Sequence, residues 1–479
     1  MDTQTIDYAT YMKGLVDRAR VAQKVAEGQY DQARVDELVE AVSYACIDET
    51  FRRTAAQMLV DEAGLGVVEH KFNKIRNKSM GVYRDMKGVK SVGIIETDSE
   101  HNTVTYCKPM GVIGAVLPLT NGEATPIVKS LWALKSRNAI IFSAARKGKN
   151  TAKFVVDRIR ATLKQFGAPE DLVICIDPEH AGRESCAEMM KQCDFIVATG
   201  GSGLVHSAYS SGTPAIGVGV GNATTFIACD ADLAGAADKI SKSKNFDFSS
   251  SCSSENSAVV DESIYDAFVK ELVAHGGYII KNDSPEKQGL CKALWPEWPE
   301  NHKLNKTLPA RSPQKVMAAA GYTIPDDIKF IAVEEFGGVG PKYVFTGEKL
   351  TPVVTLVKAK DLDDGLDKME AILNYMGNGH SCGIHTTDDK KVHKMAERMH
   401  VARILVNQPQ ALGNSGAYFN GLPITMSLGC ATWGKNSTCS NVTWKDICNT
   451  TTVSWPVEEI VPTEEGLYSE KIRNYKFNF

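Results

Sequence analysis

The sequence predicts an α/β protein with parallel sheets, divided into more than one domain and carrying a small antiparallel hairpin. Three observations predict it. Strand-like and helix-like runs alternate over most of the chain, the signature of β-α-β units with helices on both sheet faces. The chain has 479 residues, beyond the roughly 250–300 at which a single core stops growing. Near residue 100, two β-rich runs flank a polar turn.

The elements follow in order. Residues 1–64 read as helical, with Leu38, Val39, Val42 and Ala45 at helical spacing. Residues 70–88 (HKFNKIRNKSMGVYRDMKG) are basic and polar and read as a further helix on the surface. VGIIETDSEHNTVTYCKPMGVIGAVLPLT reads as a hairpin leading into a buried strand from Val112 to Leu117. Strand-like runs continue as NAIIFSA (138–144), DLVICID (171–177), CDFIVATG (193–200) and ATTFIAC (223–229), with TPIVKSLWALKS and TAKFVVDRIRATLKQFG as intervening helices. Such sheets bind ligands at the carboxyl ends of their strands. A second set follows residue 252: NSAVVDESIYDAFVKELVAHG, KFIAVEEF, LTPVVTLVKA, SCGIHTT and ARILVNQP. Residues 283–312 read as an irregular excursion, and NTTTVSWPVEEIVP as a strand that pairs with another element or another subunit.

Composition narrows the function. Hydrophobic residues make up 43% and charged residues 23%, as in a soluble globular protein. The formal net charge is −4 without a Lys/Arg tract, so no nucleic-acid partner is expected. No apolar run approaches the roughly 20 residues of a membrane span, and the N-terminus lacks the apolar stretch of a secretory signal. The expected location is cytoplasmic. The 12 cysteines include no C-x-x-C pair, so no metal site is expected and most should be free, inert thiols.

One cysteine stands apart. In FDFSSSCSSENSAVV (246–260), Cys252 sits among Ser249, Ser250, Ser251, Ser253 and Ser254, hydroxyls rather than the apolar neighbours of a structural thiol. VATGGSGLV (197–205) joins a strand to a helix, where glycines and helix N–H groups suit a phosphate or simply make a tight turn. The Gly-rich YSSGTPAIGVGVGNATTF follows, and two such junctions in succession favour a dinucleotide site. In PLTNGEATPIVKSL (118–131), Asn121 either aims its amide at an oxyanion or caps the helix. Glu348 in EKLTPVV holds a ribose or is a turn acid; His380 in GNGHSCG is a base or a hydrogen-bonding histidine.

The ordered set PMGVIGAVLPLTN, NAIIFS, VATGG, YSSGTPAIGVGVGN, SCSSEN, EKLTPVV, GNGHS and LGCATWGKNS resembles the aldehyde dehydrogenase superfamily, and within it the CoA-acylating branch, over nearly the whole chain. That branch includes the aldehyde half of bifunctional aldehyde-alcohol dehydrogenases; the iron alcohol dehydrogenase half has no counterpart here. The resemblance implies a Rossmann-type NAD(P)-binding domain (1–90 and 109–235), a catalytic domain (236–444) and an oligomerisation hairpin and tail (91–108 and 445–479) in a homodimer or homotetramer. It implies Cys252 as the nucleophile and Asn121, with the Cys252 N–H, as the oxyanion hole. Thr199, Gly200, Gly201 and Gly219 fall in the cofactor region, and Glu348 matches a ribose contact. Arg146 and Lys147 lie where the family contacts the adenosine ribose, favouring a 2′-phosphate or standing as solvated charges. His380 matches the G-x-G-H-[ST] segment, without an assigned role. Hydrolytic members carry a water-activating Glu in an E-L-G-G-K segment. Here the stretch reads GVGVGN, so the acyl-enzyme should await coenzyme A.

The implied substrate is a small aldehyde, with sulfoacetaldehyde first and acetaldehyde, other short aldehydes or succinate semialdehyde as alternatives. Ser250, Ser251 and Ser253, with His380, are the candidate substrate contacts; hydroxyls and N–H groups there suit an anionic head group, or the serines only shape a tight turn. A cation for that head group is not evident from the sequence. The rival reading is an inactive scaffold homologue.

Overall fold

The structure, a computed structural model, describes residues 6–477. The ends of the 1–90 and 445–479 assignments, residues 1–5 and 478–479, lie outside the described residues. Four helices open the chain: α1 (Tyr8–Gln29), α2 (Gln32–Cys46), α3 (Glu49–Ala63) and α4 (Val68–Met86). Asp7, Asp31 and Asp48 precede the first three, and each carboxylate accepts first-turn N–H groups that would otherwise lack partners. The basic helix expected on the surface is α4, and the structure corrects that expectation. Lys71, Lys74 and Ser79 are buried along with Phe72, Ile75 and Val82, because carboxylates inside the fold receive the ammonium groups.

The hairpin is β1 (Gly93–Asp98) and β2 (Thr103–Pro109), paired antiparallel. Five parallel strands then form the first sheet: β3 (Val112–Val116), β4 (Ala139–Ser143), β5 (Val173–Cys175), β6 (Phe195–Thr199) and β7 (Ala215–Val218), in the order β5-β4-β3-β6-β7. The helices between them are α5 (Thr125–Lys135), α6 (Lys149–Gln165), α7 (Arg183–Gln192) and α8 (Ser202–Tyr209). One hydrophobic core joins this sheet to α1–α4. The strand order reverses between β3 and β6, and a crevice opens at the carboxyl ends of strands at such a point.

The second sheet has seven parallel strands. They are β8 (Thr224–Ile227), β9 (Ser257–Asp261), β10 (Gly277–Ile280), β11 (Phe330–Glu334), β12 (Val353–Ala359), β13 (Cys382–His385) and β14 (Ile404–Val406), in the order β10-β11-β12-β9-β8-β13-β14. The helix α9 (Leu233–Asn245) links β8 to the Cys252 loop. The sequence grouped β8 with the cofactor strands through residue 235; it pairs instead with β9 and β13. Only residues 219–223 separate β7 from β8, and a parallel return within one sheet needs about a dozen. The chain therefore changes sheets at that glycine-rich link. The excursion at 283–312 includes a helix, Pro285–Leu294, opened by the Ser284 side chain. The tail strand β15 (Cys448–Ser454) pairs antiparallel with β2 of its own chain, making a third sheet β1-β2-β15.

Candidate active site

Two strand edges meet at the site. The carboxyl edge of the first sheet brings Asn121 after β3, Thr199–Gly201 after β6 and Gly219 after β7. The amino edge of the second sheet brings Cys252 before β9, Glu348 before β12 and His380 before β13. One cavity of about 630 Å³ is lined by Asn121, Thr199, Gly200, Gly201, Gly219, Ser250, Ser251, Cys252, Ser253 and Glu348. Residues scattered over more than two hundred positions thus share one wall.

The nucleophile loop is held by a buried charge. Asp247, Phe248 and Ser249 all adopt left-handed backbone, with φ of 51°, 49° and 57°. Left-handed geometry costs an L-residue roughly 1–2 kcal/mol, so the turn needs a clamp. Asp247 provides it. Its carboxylate accepts from Lys71 Nζ at 2.8 Å, Lys74 Nζ at 3.3 Å, the Val67 N–H at 2.8 Å and the Ser250 hydroxyl at 2.8 Å. Its own N–H donates to His70 Nδ1 at 2.9 Å. Although burial opposes ionisation, Lys74 and Lys71 outweigh it and hold the Asp247 carboxyl well below the usual range.

The serines mostly serve this turn. Ser249 donates to the Lys244 carbonyl, Ser254 to Ser249 Oγ, and Ser250 to Asp247. Ser251 and Ser253 face the cavity, and the Ser253 side chain hydrogen-bonds the Cys252 sulfur.

Cys252 is half-buried, and its Sγ lies 3.1 Å from His380 Nε2. The other ring nitrogen, Nδ1, is 2.8 Å from Ser381 Oγ; the tautomer protonated at Nδ1 donates to that hydroxyl and leaves Nε2 to accept from the thiol. Burial, then the Arg403 charge, pushes His380 down to about 3. Burial, then Glu348 and Cys430, pushes Cys252 up to about 12, against the Ser253 hydrogen bond and Arg403. Burial also pushes Glu348 up to about 8. At neutral pH the resting site is therefore a neutral thiol, imidazole and carboxylic acid. Gly221 packs directly on the nucleophile: a Cβ there would stand 2.1 Å from the Cys252 carbonyl oxygen.

Asn121 is oriented from below. Its Oδ1 accepts from Lys74 Nζ at 2.7 Å, so Nδ2 is the end left to donate; Nδ2 reaches Thr120 Oγ1 at 3.3 Å. Lys74 also pairs with Glu123 at 2.6 Å. On the other side of the cavity, Gly201 caps α8, and a Cβ at Gly201 would meet no atom within 4 Å. The Thr199 hydroxyl accepts from the buried Lys129 Nζ at 3.2 Å. An open glycine turn aimed by helix N–H groups fits a dinucleotide pyrophosphate. Arg146 is exposed beyond the end of β4 and does not line the cavity.

Sequence reasoning missed Lys71, Lys74 and Arg403. Arg403 Nη2 donates to the His380 and Gly429 carbonyls and so fixes the histidine strand. The lysines carried a usable signal, since positions 71, 74 and 78 share one helical face with Ile75 and Val82.

Comparisons with known proteins agree with this geometry. The family model described as "Aldehyde dehydrogenase family" matches residues 15–288 and 341–427. The acylating sulfoacetaldehyde dehydrogenase of Bilophila wadsworthia is 40% identical over 462 residues, covering 96% of this chain and 98% of that one. An acetylating aldehyde dehydrogenase from Geobacillus thermoglucosidasius superposes with a TM-score of 0.89 at 34% identity, covering 95% of this chain and 98% of that one. A Rhodopseudomonas palustris propionaldehyde dehydrogenase, solved with bound CoA and an acylated cysteine, superposes with a TM-score of 0.82 at 25% identity, over 93% and 97% of the two chains.

Proposed function

Because the chain belongs to the aldehyde dehydrogenase family, we propose that it is the NAD(P)-dependent, CoA-acylating enzyme for sulfoacetaldehyde, acting through a Cys252 thioester. The observation that carries the acylating reading is the segment packed on the nucleophile. Residues 217–222, GVGVGN, carry no ionisable side chain, and Gly221 among them packs on the Cys252 backbone. The one acid lining the cavity beside the sulfur, Glu348, stays protonated below about pH 8. No carboxylate stands there to activate water at neutral pH.

The chemistry follows from these residues. Cys252 passes its proton through His380 Nε2 and its sulfur bonds to the aldehyde carbon. Negative charge grows on the carbonyl oxygen, where Asn121 Nδ2 and the Cys252 N–H donate; one such donor is worth roughly 3–4 kcal/mol. Thr199–Gly201 and Gly219 would hold NAD or NADP, which would supply the hydride acceptor; loss of hydride from the carbon bonded to sulfur leaves a thioester on Cys252. Coenzyme A, as thiolate, attacks the thioester carbon, and the Cys252–carbon bond breaks with the electron pair returning to sulfur. Neutral His380 takes the incoming thiol proton and returns it to the departing Cys252 sulfur, restoring the neutral thiol. Every step is reversible, so acyl-CoA reduction runs through the same groups.

Two broader assignments belong to this reading. The β1-β2-β15 sheet carries an exposed tail with Trp455, Val457, Ile460 and Val461 in water, which suits a homodimer or homotetramer. No helix among the described residues is long and apolar enough to cross a membrane, and all 12 cysteines are free thiols, as a reducing cytoplasm allows. The deciding experiment measures NADH or NADPH formation with sulfoacetaldehyde and acetaldehyde, each with and without CoA. CoA-dependent turnover that favours sulfoacetaldehyde supports the proposal. Steady turnover without CoA sinks the acylating chemistry, and a preference for acetaldehyde sinks the substrate.

A further inference from the structure

The helix α4 leaves one charge unassigned. Lys71, Lys74 and Lys78 lie along its inward face. Lys71 and Lys74 are balanced by Asp247 and Glu123, two buried cations against two buried carboxylates. Lys78 has no acid in ion-pair reach among the described residues. Its Nζ donates to Ser415 Oγ at 2.7 Å, the Ser415 carbonyl at 2.9 Å and the Gly416 carbonyl at 3.3 Å, all uncharged oxygens. It lines the same cavity as Cys252 and Asn121, beside Asn77 and Tyr418. A half-buried cation that meets only neutral oxygens in a ligand cavity is half of an ion pair. Burial, then repulsion from Lys74, pushes Lys78 down to about 7, which an arriving anion would reverse.

We propose that Lys78, with the Ser415 hydroxyl, receives the sulfonate of the aldehyde substrate and sets the preference for an anionic over a neutral aldehyde. This inference rests on the acylating reading above. Position supports it. Lys74 Nζ touches Asn121 Oδ1 at 2.7 Å, on the amide whose Nδ2 is to hold the carbonyl oxygen. Lys78 lies one turn further along α4, a rise of about 6 Å. A sulfonate separated from its carbonyl by one methylene spans that kind of interval. Ser415 Oγ accepts from Lys78 and keeps its own hydrogen for a sulfonate oxygen, whereas the Ser250 hydroxyl is already directed to Asp247. Lys78 therefore answers the need for a cation better than the serine cluster does.

The test uses the full-length enzyme with saturating NAD(P)+ and CoA. kcat/KM is measured for sulfoacetaldehyde and for acetaldehyde in wild type, Lys78→Met and Lys78→Arg. The expected result is a sulfoacetaldehyde-to-acetaldehyde ratio that falls roughly 10- to 100-fold in Lys78→Met, as for a lost charge-assisted hydrogen bond, and is partly kept in Lys78→Arg. A ratio unchanged in Lys78→Met overturns the inference, whether both activities fall together or neither falls. A second readout needs no turnover: ethanesulfonate should slow alkylation of Cys252 in wild type and not in Lys78→Met. Equal protection in both overturns the inference. Wild type that turns over no aldehyde with CoA fails the functional reading instead, and the protection assay still decides Lys78.

Discussion

His380 Nε2 stands 3.1 Å from the Cys252 sulfur, and the structure holds both groups neutral. The usual thiolate–imidazolium pair is absent at rest because burial opposes both charges, with the thiol pushed up to about 12 and the imidazole down to about 3. Alkylation of Cys252 by iodoacetamide in the free enzyme should therefore keep climbing from pH 7 to 10 without levelling, more slowly where Glu348 ionises near pH 8, since only the thiolate reacts. Peptide-level mass spectrometry separates Cys252 from the exposed Cys229 and Cys439. A plateau near neutral pH would show a preformed ion pair and defeat this account.

Glu348 offers a finer test of the same electrostatics. Its carboxyl is pushed up to about 8 by burial, and its charge is the leading neighbouring influence that raises Cys252. Below pH 8 the group is neutral and inert; above it, the new anion opposes thiolate formation. Glu348→Gln should therefore match wild type in Cys252 alkylation at pH 6.5 and exceed it several-fold at pH 9.5, a scale set by two charges at close range in a partly dry site. Equal rates at pH 9.5 would remove Glu348 from the surroundings of the sulfur.

These relationships were unevenly legible in the sequence. Cys252 stood out as a thiol among hydroxyls, whereas Asn121 read as readily as a helix cap, and its oxyanion role entered only through the family resemblance. The sheets were readable because buried parallel strands are continuous apolar runs. The place of β8 was readable in principle, since residues 219–223 are too short for a parallel crossover, but strand character alone says nothing about which sheet a strand joins. Lys71 and Lys74 were hidden for a different reason. A basic helix normally faces water, and only the fold reveals that Glu123 and Asp247, distant in sequence, wait for it inside. His380 was found as a residue but not as a contact, because its distance to Cys252 is set by β8, which pairs with β9 on one side and β13 on the other.

Lys74 links stability to catalysis. It compensates Asp247 and Glu123 and fixes the Asn121 amide. Lys74→Met would leave buried carboxylates short of a cation, a loss of about 3–5 kcal/mol in urea unfolding at pH 7. Asp247 has a depressed pKa, so its contribution is present above the unfolded carboxyl value of about 4 and lost as pH falls toward the folded value. The difference between variant and wild type should shrink on acidification below about pH 4. Where the variant remains folded, kcat should fall more than KM rises, because an amide free to flip affects the oxyanion and not aldehyde binding. An unchanged kcat would mean that Asn121 needs no support from Lys74.

Gly221 tests whether the nucleophile is held in place at all. A methyl group there would lie 2.1 Å from the Cys252 carbonyl oxygen and 2.8 Å from its carbonyl carbon and Cβ. These are backbone and Cβ atoms, so no side-chain rotation relieves the clash. Retreat on the other side is blocked as well: Asn222 Nδ2 is tied to the Thr346 carbonyl at 2.9 Å and the Met376 carbonyl at 3.1 Å. The Cys252 loop is the part that must move, and it already rests on a left-handed turn clamped at Asp247. A displacement of about 1 Å at a reacting group costs on the order of 100-fold in rate. Gly221→Ala should lose about that much kcat, and a crystal structure of the variant should show Cys252 Sγ drawn away from His380 Nε2. Near-wild-type turnover in Gly221→Ala would show that the loop yields freely and that the 3.1 Å contact is not what positions the sulfur.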